Sequence, residues 1–437
     1  MATHLVFLTI CIFIDLSSQC SITGYPFENH LSSETPYRLV SNKSFYRIQY
    51  DGCTPKKIWM VIRHGTRNPS ISKIEQINNR LPDIRDFILE NDNLPNGFIK
   101  NRDLDLFQKW EPTLNAESKK KLTREGREEM LLLAERMQSK FPELFDNIYS
   151  NTSFKFKYTH TQRTKKSALY FVTGLFGKNN AKSVWFPEPL KNDPILRFYK
   201  SCTKWYKEVK DDPKLKRINK AFEQSAEMLK TLKVINERLN FSRVSSNLSA
   251  DDVFLMYKTC AYETAWNKQS KSPWCSPFTE EELKVLEYAE DLELYWQDGY
   301  GHELTYKQAC PAFSDMINML ISNETYPKVT AYFTHSGTIL KMLAHLGLYK
   351  DSENLTATNY GKMANRKWRT SFIDSFGSNL AFISFKCNKN NKILTLHQEK
   401  VVRLPSCPNS DLCDIKEVIS YYSESIEHCD LTSMCAI

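Results

Sequence analysis

Apolar residues along this chain gather into runs of distinct kinds. Ile58-Trp-Met-Val-Ile62 and Val329 to Thr334 are nearly continuous apolar runs, partly β-branched. That pattern predicts strands buried on both faces, as in a parallel sheet. Phe154 to Tyr158 alternates apolar residues with lysine and predicts a shorter strand. Leu122, Met130, Leu133 and Met137 follow helical steps and predict an amphipathic helix with Thr123 near its start. Ser167 to Val172 reads as helix. Ile339, Leu340, Met342, Leu343 and Leu346 predict another helix, ended by Gly347. Between about 195 and 310 helical periodicity dominates, with Val285, Tyr288, Leu292 and Tyr295 at three- and four-residue steps. Leu380 to Phe385 and Ile393 to Leu396 predict late strands. There is no internal repeat. The expected fold is α/β: a mixed, mainly parallel sheet with flanking helices, from about 50–190 and 325–437, and a helical cap inserted at about 195–310.

Composition narrows the class. Of 437 residues, 41% are apolar and only 13 are glycine, which excludes disordered, collagenous and low-complexity chains. The charge sum, 59 − 51 = +8, favours anionic partners, but both signs are interspersed. Lys119 to Lys121 is expected to be a solvated helix start, and no basic block reads as a nucleic-acid arm.

The chain opens on an apolar run, Leu5 to Ile14, too short to span a bilayer comfortably and suited to a signal peptide. Ser18 and Cys20 are small residues placed for cleavage after position 20; an uncleaved anchor is the alternative. Removing Cys11 and Cys20 from the 12 cysteines leaves ten, an even number that fits disulfide pairing in a secreted chain. The expected pairs are local: Cys260 with Cys275, Cys407 with Cys413, and Cys429 with Cys435. No Cys-x-x-Cys is present, which argues against a zinc cluster. Six glycosylation sequons lie at Asn42, Asn151, Asn240, Asn247, Asn323 and Asn354. The C-terminal Cys435-Ala-Ile437 carries no retrieval signal, so the expected destination is extracellular, with no membrane span after cleavage.

Three predicted strand-to-turn junctions deliver arginine or histidine: Arg63, His64 and Arg67 after the first strand, Arg163 after the second, His335 after the third. In open α/β sheets ligands bind outside the carboxyl ends of the strands. Guanidinium forks match phosphate oxygens, and a neutral imidazole between them can attack phosphorus. In Arg63-His64-Gly65-Thr66-Arg67-Asn68-Pro69, Gly65 permits close backbone approach and Pro69 stiffens the exit.

That segment resembles the Arg-His-Gly-x-Arg-x-Pro signature of the histidine phosphatase superfamily, in its acid-phosphatase and phytase branch. Leu122-Thr-Arg-Glu-Gly-Arg-Glu-Glu-Met130 and Arg163-Thr-Lys-Lys-Ser-Ala168 are similar to further segments of that branch. Ser272-Pro-Trp-Cys275, Lys284 to Tyr288, Tyr295 to Gly301, and Tyr332 to Asp351 resemble the multiple inositol polyphosphate phosphatases. The resemblance covers about residues 50 to 430 and implies a histidine phosphatase domain over 21–437. It implies His64 as the nucleophile of a covalent phosphohistidine and Arg63, Arg67 and Arg163 as phosphoryl holders. His335 would be a second histidine on the same group, and Thr66 would line the entrance. No cofactor or metal is implied. The substrates implied are inositol polyphosphates, the hexakisphosphate among them.

One departure changes the picture. The branch carries His-Asp, or His-Ala-Glu in the inositol polyphosphate group, where this chain reads His335-Ser336-Gly337. A leaving alcohol needs a proton, and losing a placed acid costs about 10²- to 10⁴-fold in rate. Glu303, Asp298 or Glu324 could supply the proton, or a neighbouring substrate phosphate could. Alternatively, the chain is an impaired, polyanion-binding pseudoenzyme, or an acid phosphatase of broad specificity. His302 and His160 are further candidates for the pocket. Trp266 and Trp274 are expected as core aromatics.

Overall fold

The computed structural model describes residues 26–91, 99, 101–243 and 247–437. The expected signal segment, 1–20, lies outside the described residues.

Among the described residues seven strands form one mixed sheet: β1 (Cys53–Arg63), β2 (Phe154–Tyr158), β3 (Val329–Thr334), β4 (Asn379–Cys387), β5 (Asn390–His397), β6 (Lys400–Val401) and β7 (Leu412–Asp414). Their order is β2-β3-β1-β4-β5-β6, with β7 also paired to β5. Pairing is parallel across β2, β3 and β1, and antiparallel from β1 onward. The parallel part is joined by long helical connections, whereas β4 to β6 are joined by tight turns that only antiparallel strands can use.

The main helices are α1 (Ile71–Glu90), α2 (Arg124–Lys140), α3 (Gln162–Asn180), α4 (Pro213–Glu223), α5 (Ala226–Arg238), α6 (Ala250–Trp266), α7 (Glu280–Asp298), α8 (Cys310–Ile321) and α9 (Ser336–His345). The two-residue period of β1 sorts its side chains between two cores. Ile58, Met60 and Ile62 pack with Met130, Leu133 and Met137 of α2 and with Phe171 and Val172 of α3. Trp59 and Val61 face the other way, into a core that runs without a break through α8 and α9 to Met256, Trp274 and Tyr288. The segment 195–310 therefore shares the core of one sheet face. Thr123 caps α2, its hydroxyl accepting from the Gly126 amide at 3.2 Å. After α9, Gly347 takes φ +73°, which favours glycine and turns the chain out of the helix.

Ten cysteines form five disulfides. Cys260–Cys275 and Cys407–Cys413 are the local pairs expected from spacing. The expected Cys429–Cys435 pair is corrected: Cys429 bonds Cys310 and Cys435 bonds Cys202. The C-terminal helix packs beside Thr203–Trp205, which brings distant sulfurs closer than sequence neighbours. Cys53–Cys387 ties β1 to β4. Among the sequons, Asn151, Asn247, Asn323 and Asn354 are exposed, while Asn240 is buried. No described helix is long and apolar enough to cross a membrane.

Candidate active site

Parallel register levels the carboxyl ends of three strands: Arg63 pairs with Thr334, and Tyr158 with Phe333. The residues just beyond those ends meet. The His64 and His335 rings stand 5.6 Å apart, centroid to centroid. Arg163, near the start of α3, donates from Nη2 to His335 Nδ1 at 3.2 Å. Phe376 floors the group, with Arg63 at 4.8 Å and Arg67 at 5.9 Å over its ring and His64 6.2 Å away. All five expected residues, from three separate stretches, come together here.

The turn after β1 is clamped against α2. A Cβ on Gly65 would lie 2.4 Å from the Gly126 carbonyl oxygen, and one on Gly126 would lie 2.3 Å from that of Thr66. Both backbones approach so closely that a side chain at either position would have to push them apart. Thr66, expected at the entrance, is fully buried instead: its amide and hydroxyl donate to Glu129 at 2.7 and 2.8 Å. It braces the turn from behind. On the other side the Trp266 indole N–H donates to the Arg67 carbonyl at 3.3 Å, so this tryptophan borders the pocket, whereas Trp274 lies in the core as expected.

Hydrogen bonding fixes the tautomer of each histidine. His64 Nδ1 faces the Gly65 carbonyl at 3.0 Å. A carbonyl only accepts, so Nδ1 carries the proton and Nε2 keeps its lone pair. Burial first, then Arg163, Arg67, Arg63 and His335, hold this imidazole well below the ordinary histidine range. His335 is lowered likewise, by burial and then by Arg163 and Arg197. Its Nδ1 accepts from Arg163, so Nε2–H donates to Thr159 Oγ1 at 2.9 Å. Thr159 in turn donates to Thr164, and Thr164 to the Thr159 carbonyl. Burial and the crowding of Arg67 and Arg197 bring Arg163 down to about 10. The Nε–H groups of Arg63, Arg163 and Arg197 are buried and have no protein acceptor. Such a ring of donors suits a multiply charged oxyanion.

The residues from 56 to 404 match the histidine phosphatase superfamily (branch 2). This chain belongs to that superfamily. Multiple inositol polyphosphate phosphatase 1 of Drosophila melanogaster is 33% identical over 404 residues, covering 90% of this chain and 84% of that protein. Among solved structures, the D. castellii phytase has a TM-score of 0.75 at 19% identity, covering 94% of this chain and 87% of that one. A Bifidobacterium longum multiple inositol polyphosphate phosphatase, in complex with inositol hexasulfate, has a TM-score of 0.67 at 17% identity, covering 90% and 97%.

Within this histidine phosphatase the other candidates disperse. His302 borders a separate cavity with Asp212 and Trp296, and His160 is exposed on its turn. Glu303 is exposed and paired with Lys307. Glu324 lines a cavity with Thr54 and Lys57, at the opposite end of β1 from His64. Asp298 is near: a Cβ on Gly337 would lie 3.1 Å from its Oδ1. Both of its oxygens already accept hydrogen bonds, Oδ1 from Lys341 and Oδ2 from Gln297.

Other residues of the site had no signal in the sequence. Arg197, whose charge acts on both Arg163 and His335, sits in an irregular stretch before the middle helices. Ser33 and Asp374 offer carbonyls to Arg63 Nη1 from opposite ends of the chain. Lys119 to Lys121 does not begin a helix. Its turn is pinned to the active-site turn, Lys120 N–H donating to the Pro69 carbonyl at 2.8 Å, and Lys120 feels Arg67 and Arg163. Among the described residues the one grouping of close metal-type ligands is Cys407, Cys413 and Glu417, whose sulfurs are spent in a disulfide.

Proposed function

We propose that this chain is a secretory-pathway phosphomonoesterase that hydrolyses inositol polyphosphates, the hexakisphosphate included, through a phosphohistidine on His64. The observation that carries this is the His64 imidazole, neutral and with Nε2 unprotonated, ringed by guanidinium groups. Arg63, Arg67 and Arg163 hold the phosphoryl oxygens, and Nε2 attacks phosphorus in line with the departing ester oxygen. His335 sits against the same group. Thr159 can reverse its hydrogen bond to Nε2, which lets His335 Nδ1 donate once phosphate replaces Arg163 as its neighbour. Water then cleaves the phosphorus–nitrogen bond. Arg197 and Lys120 supply further positive charge for the other phosphates of a polyanion. The helices between 195 and 310 act as the cap, Tyr262 and Trp266 of α6 bordering Arg67. The name of the 33% identical relative and the inositol hexasulfate bound to a structural relative favour this substrate class. Five disulfides favour an oxidising compartment.

The test is phosphate release from inositol hexakisphosphate, together with trapping of acid-labile, base-stable phosphoenzyme. Wild type should turn over and label; His64→Ala should do neither. Equal release by both ends the proposal. A second reading, a binder of polyanions without turnover, is favoured by the absence of a carboxyl at Ser336 and Gly337. It predicts salt-sensitive binding of the hexakisphosphate with no release.

A further inference from the structure

Resting on the phosphomonoesterase function above, we propose that Asp374, acting through the Ser336 hydroxyl, supplies the proton to the leaving oxygen. Asp374 belongs to a stretch that wraps the catalytic turn: the Gly377 N–H donates to the His64 carbonyl at 3.1 Å. Arg63 Nη1 meets the Asp374 carbonyl, and lies 3.3 Å from the carboxyl Oδ2. The same Oδ2 accepts from Ser336 Oγ, and with the carboxyl protonated at Oδ2 the bond runs the other way, Oδ2–H donating to Oγ. Ser336 directly follows His335 and opens α9. It is half-buried where Asp374 is fully enclosed. Asp374 Oδ1 has no hydrogen-bond partner. An enclosed carboxyl beside Arg63 is thus coupled to a less enclosed hydroxyl next in sequence to His335.

The proton inventory closes. His64 Nε2 bonds to phosphorus while the phosphorus–ester-oxygen bond breaks and its electron pair goes to the departing oxygen. Ser336 O–H gives its proton to that oxygen, and Ser336 Oγ takes the proton of the Asp374 carboxyl. The products are the free alcohol, a phosphohistidine still protonated at Nδ1, and an Asp374 carboxylate facing Arg63. In the second half a water oxygen bonds to phosphorus as the phosphorus–nitrogen bond breaks, and its proton returns through Ser336 to Asp374. Asp298, the other carboxylate near this motif, has both oxygens engaged as acceptors.

The electrostatics agree. Burial pushes the Asp374 carboxyl up to about 7, against the pull of Arg63 and Ser336 and with added push from Asp298 and Glu34, the charged neighbours on the surrounding elements. A group titrating there can both hold and release a proton near neutrality. The acid must be protonated to act, so turnover of poor leaving groups should fall as pH rises through about 7.

Two substrates separate this role from a structural one. An activated aryl phosphate leaves without a proton; inositol hexakisphosphate does not. Asp374→Asn and Ser336→Ala should each lower kcat on the hexakisphosphate by roughly 10²- to 10³-fold. On the aryl ester they should cost less than about tenfold, and both variants should lose the alkaline limb. Ser336→Ala keeps the Arg63–Asp374 pair, so it guards against a folding defect in the other variant. Equal losses on both substrates, or an unchanged hexakisphosphate rate and alkaline limb, overturn the relay while leaving the His64 chemistry intact. Absence of any His64-dependent phosphoenzyme in wild type overturns both.

Discussion

Gly126→Ala tests whether close backbone contact sets the position of His64. The added Cβ would sit 2.3 Å from Thr66 O, 2.7 Å from Thr66 N and 2.8 Å from Leu122 Cδ1. A carbon and an oxygen rest at about 3.3 Å or more, so the active-site turn must move off α2 by roughly 1 Å. Thr66 is two residues from His64, and its amide and hydroxyl bonds to Glu129 would stretch with it. A misplacement of about 1 Å costs on the order of 10²-fold in rate. The strain costs roughly 1–3 kcal/mol in stability. Gly174→Ala is the matched contrast. Its Cβ would meet Leu131 O at 2.5 Å, an equally severe clash between α3 and α2 but away from the turn. Both variants should therefore unfold at lower urea concentration, while kcat/KM on an aryl phosphate falls about 100-fold for Gly126→Ala and less than about threefold for Gly174→Ala. If Gly126→Ala keeps kcat/KM within threefold of wild type, or if the two variants lose activity equally, contact at this glycine does not position His64.

Two further outcomes follow from buried charge. Glu399, 1% exposed, takes hydrogen bonds from Arg136, Lys140 and Tyr37. Glu399→Gln strands two buried cations and should cost about 3–5 kcal/mol of unfolding free energy in urea; a loss under about 1 kcal/mol would refute this. His397 is enclosed among Tyr349 and Ser378, and burial pushes its imidazole down to about 3. Unfolded, it titrates near 6.5, so below that pH the unfolded chain binds a proton that the folded chain excludes. Stability is full above 6.5 and falls as pH drops toward about 3. His397 contributes a slope of about 1.4 kcal/mol per pH unit. Urea unfolding at pH 6.5, 5.5 and 4.5 should show His397→Gln with a slope shallower by that amount; parallel slopes would refute the assignment.

Much of the fold was legible because hydrophobic period reports directly on burial. The unbroken apolar run at 58–62 is covered on both faces, and the mostly apolar run at 380–385 serves two cores by turns. The Cys429–Cys435 expectation failed because loop length says nothing about which surfaces dock, and the C-terminal helix docks beside Cys202. Thr66 shares a motif with His64 and Arg67, yet its side chain is buried against α2, where its hydroxyl donates to Glu129. Arg197, Ser33 and Asp374 carry no local pattern, for their place depends on long-range packing alone.

The amino-acid sequence alone determined which groups could do chemistry: an imidazole between arginines, an arginine and a second histidine after two more strands, and no carboxyl directly following His335. The tertiary structure decided which atoms of those groups are usable. Parallel register brought the strand ends level, the Gly65 carbonyl fixed the proton on Nδ1 by accepting its hydrogen bond, and a stretch some forty residues after Ser336 placed an aspartate against its hydroxyl. Residue type is a local property. Protonation state and reach depend on burial and on neighbours distant in the chain, which exist only once the chain has folded.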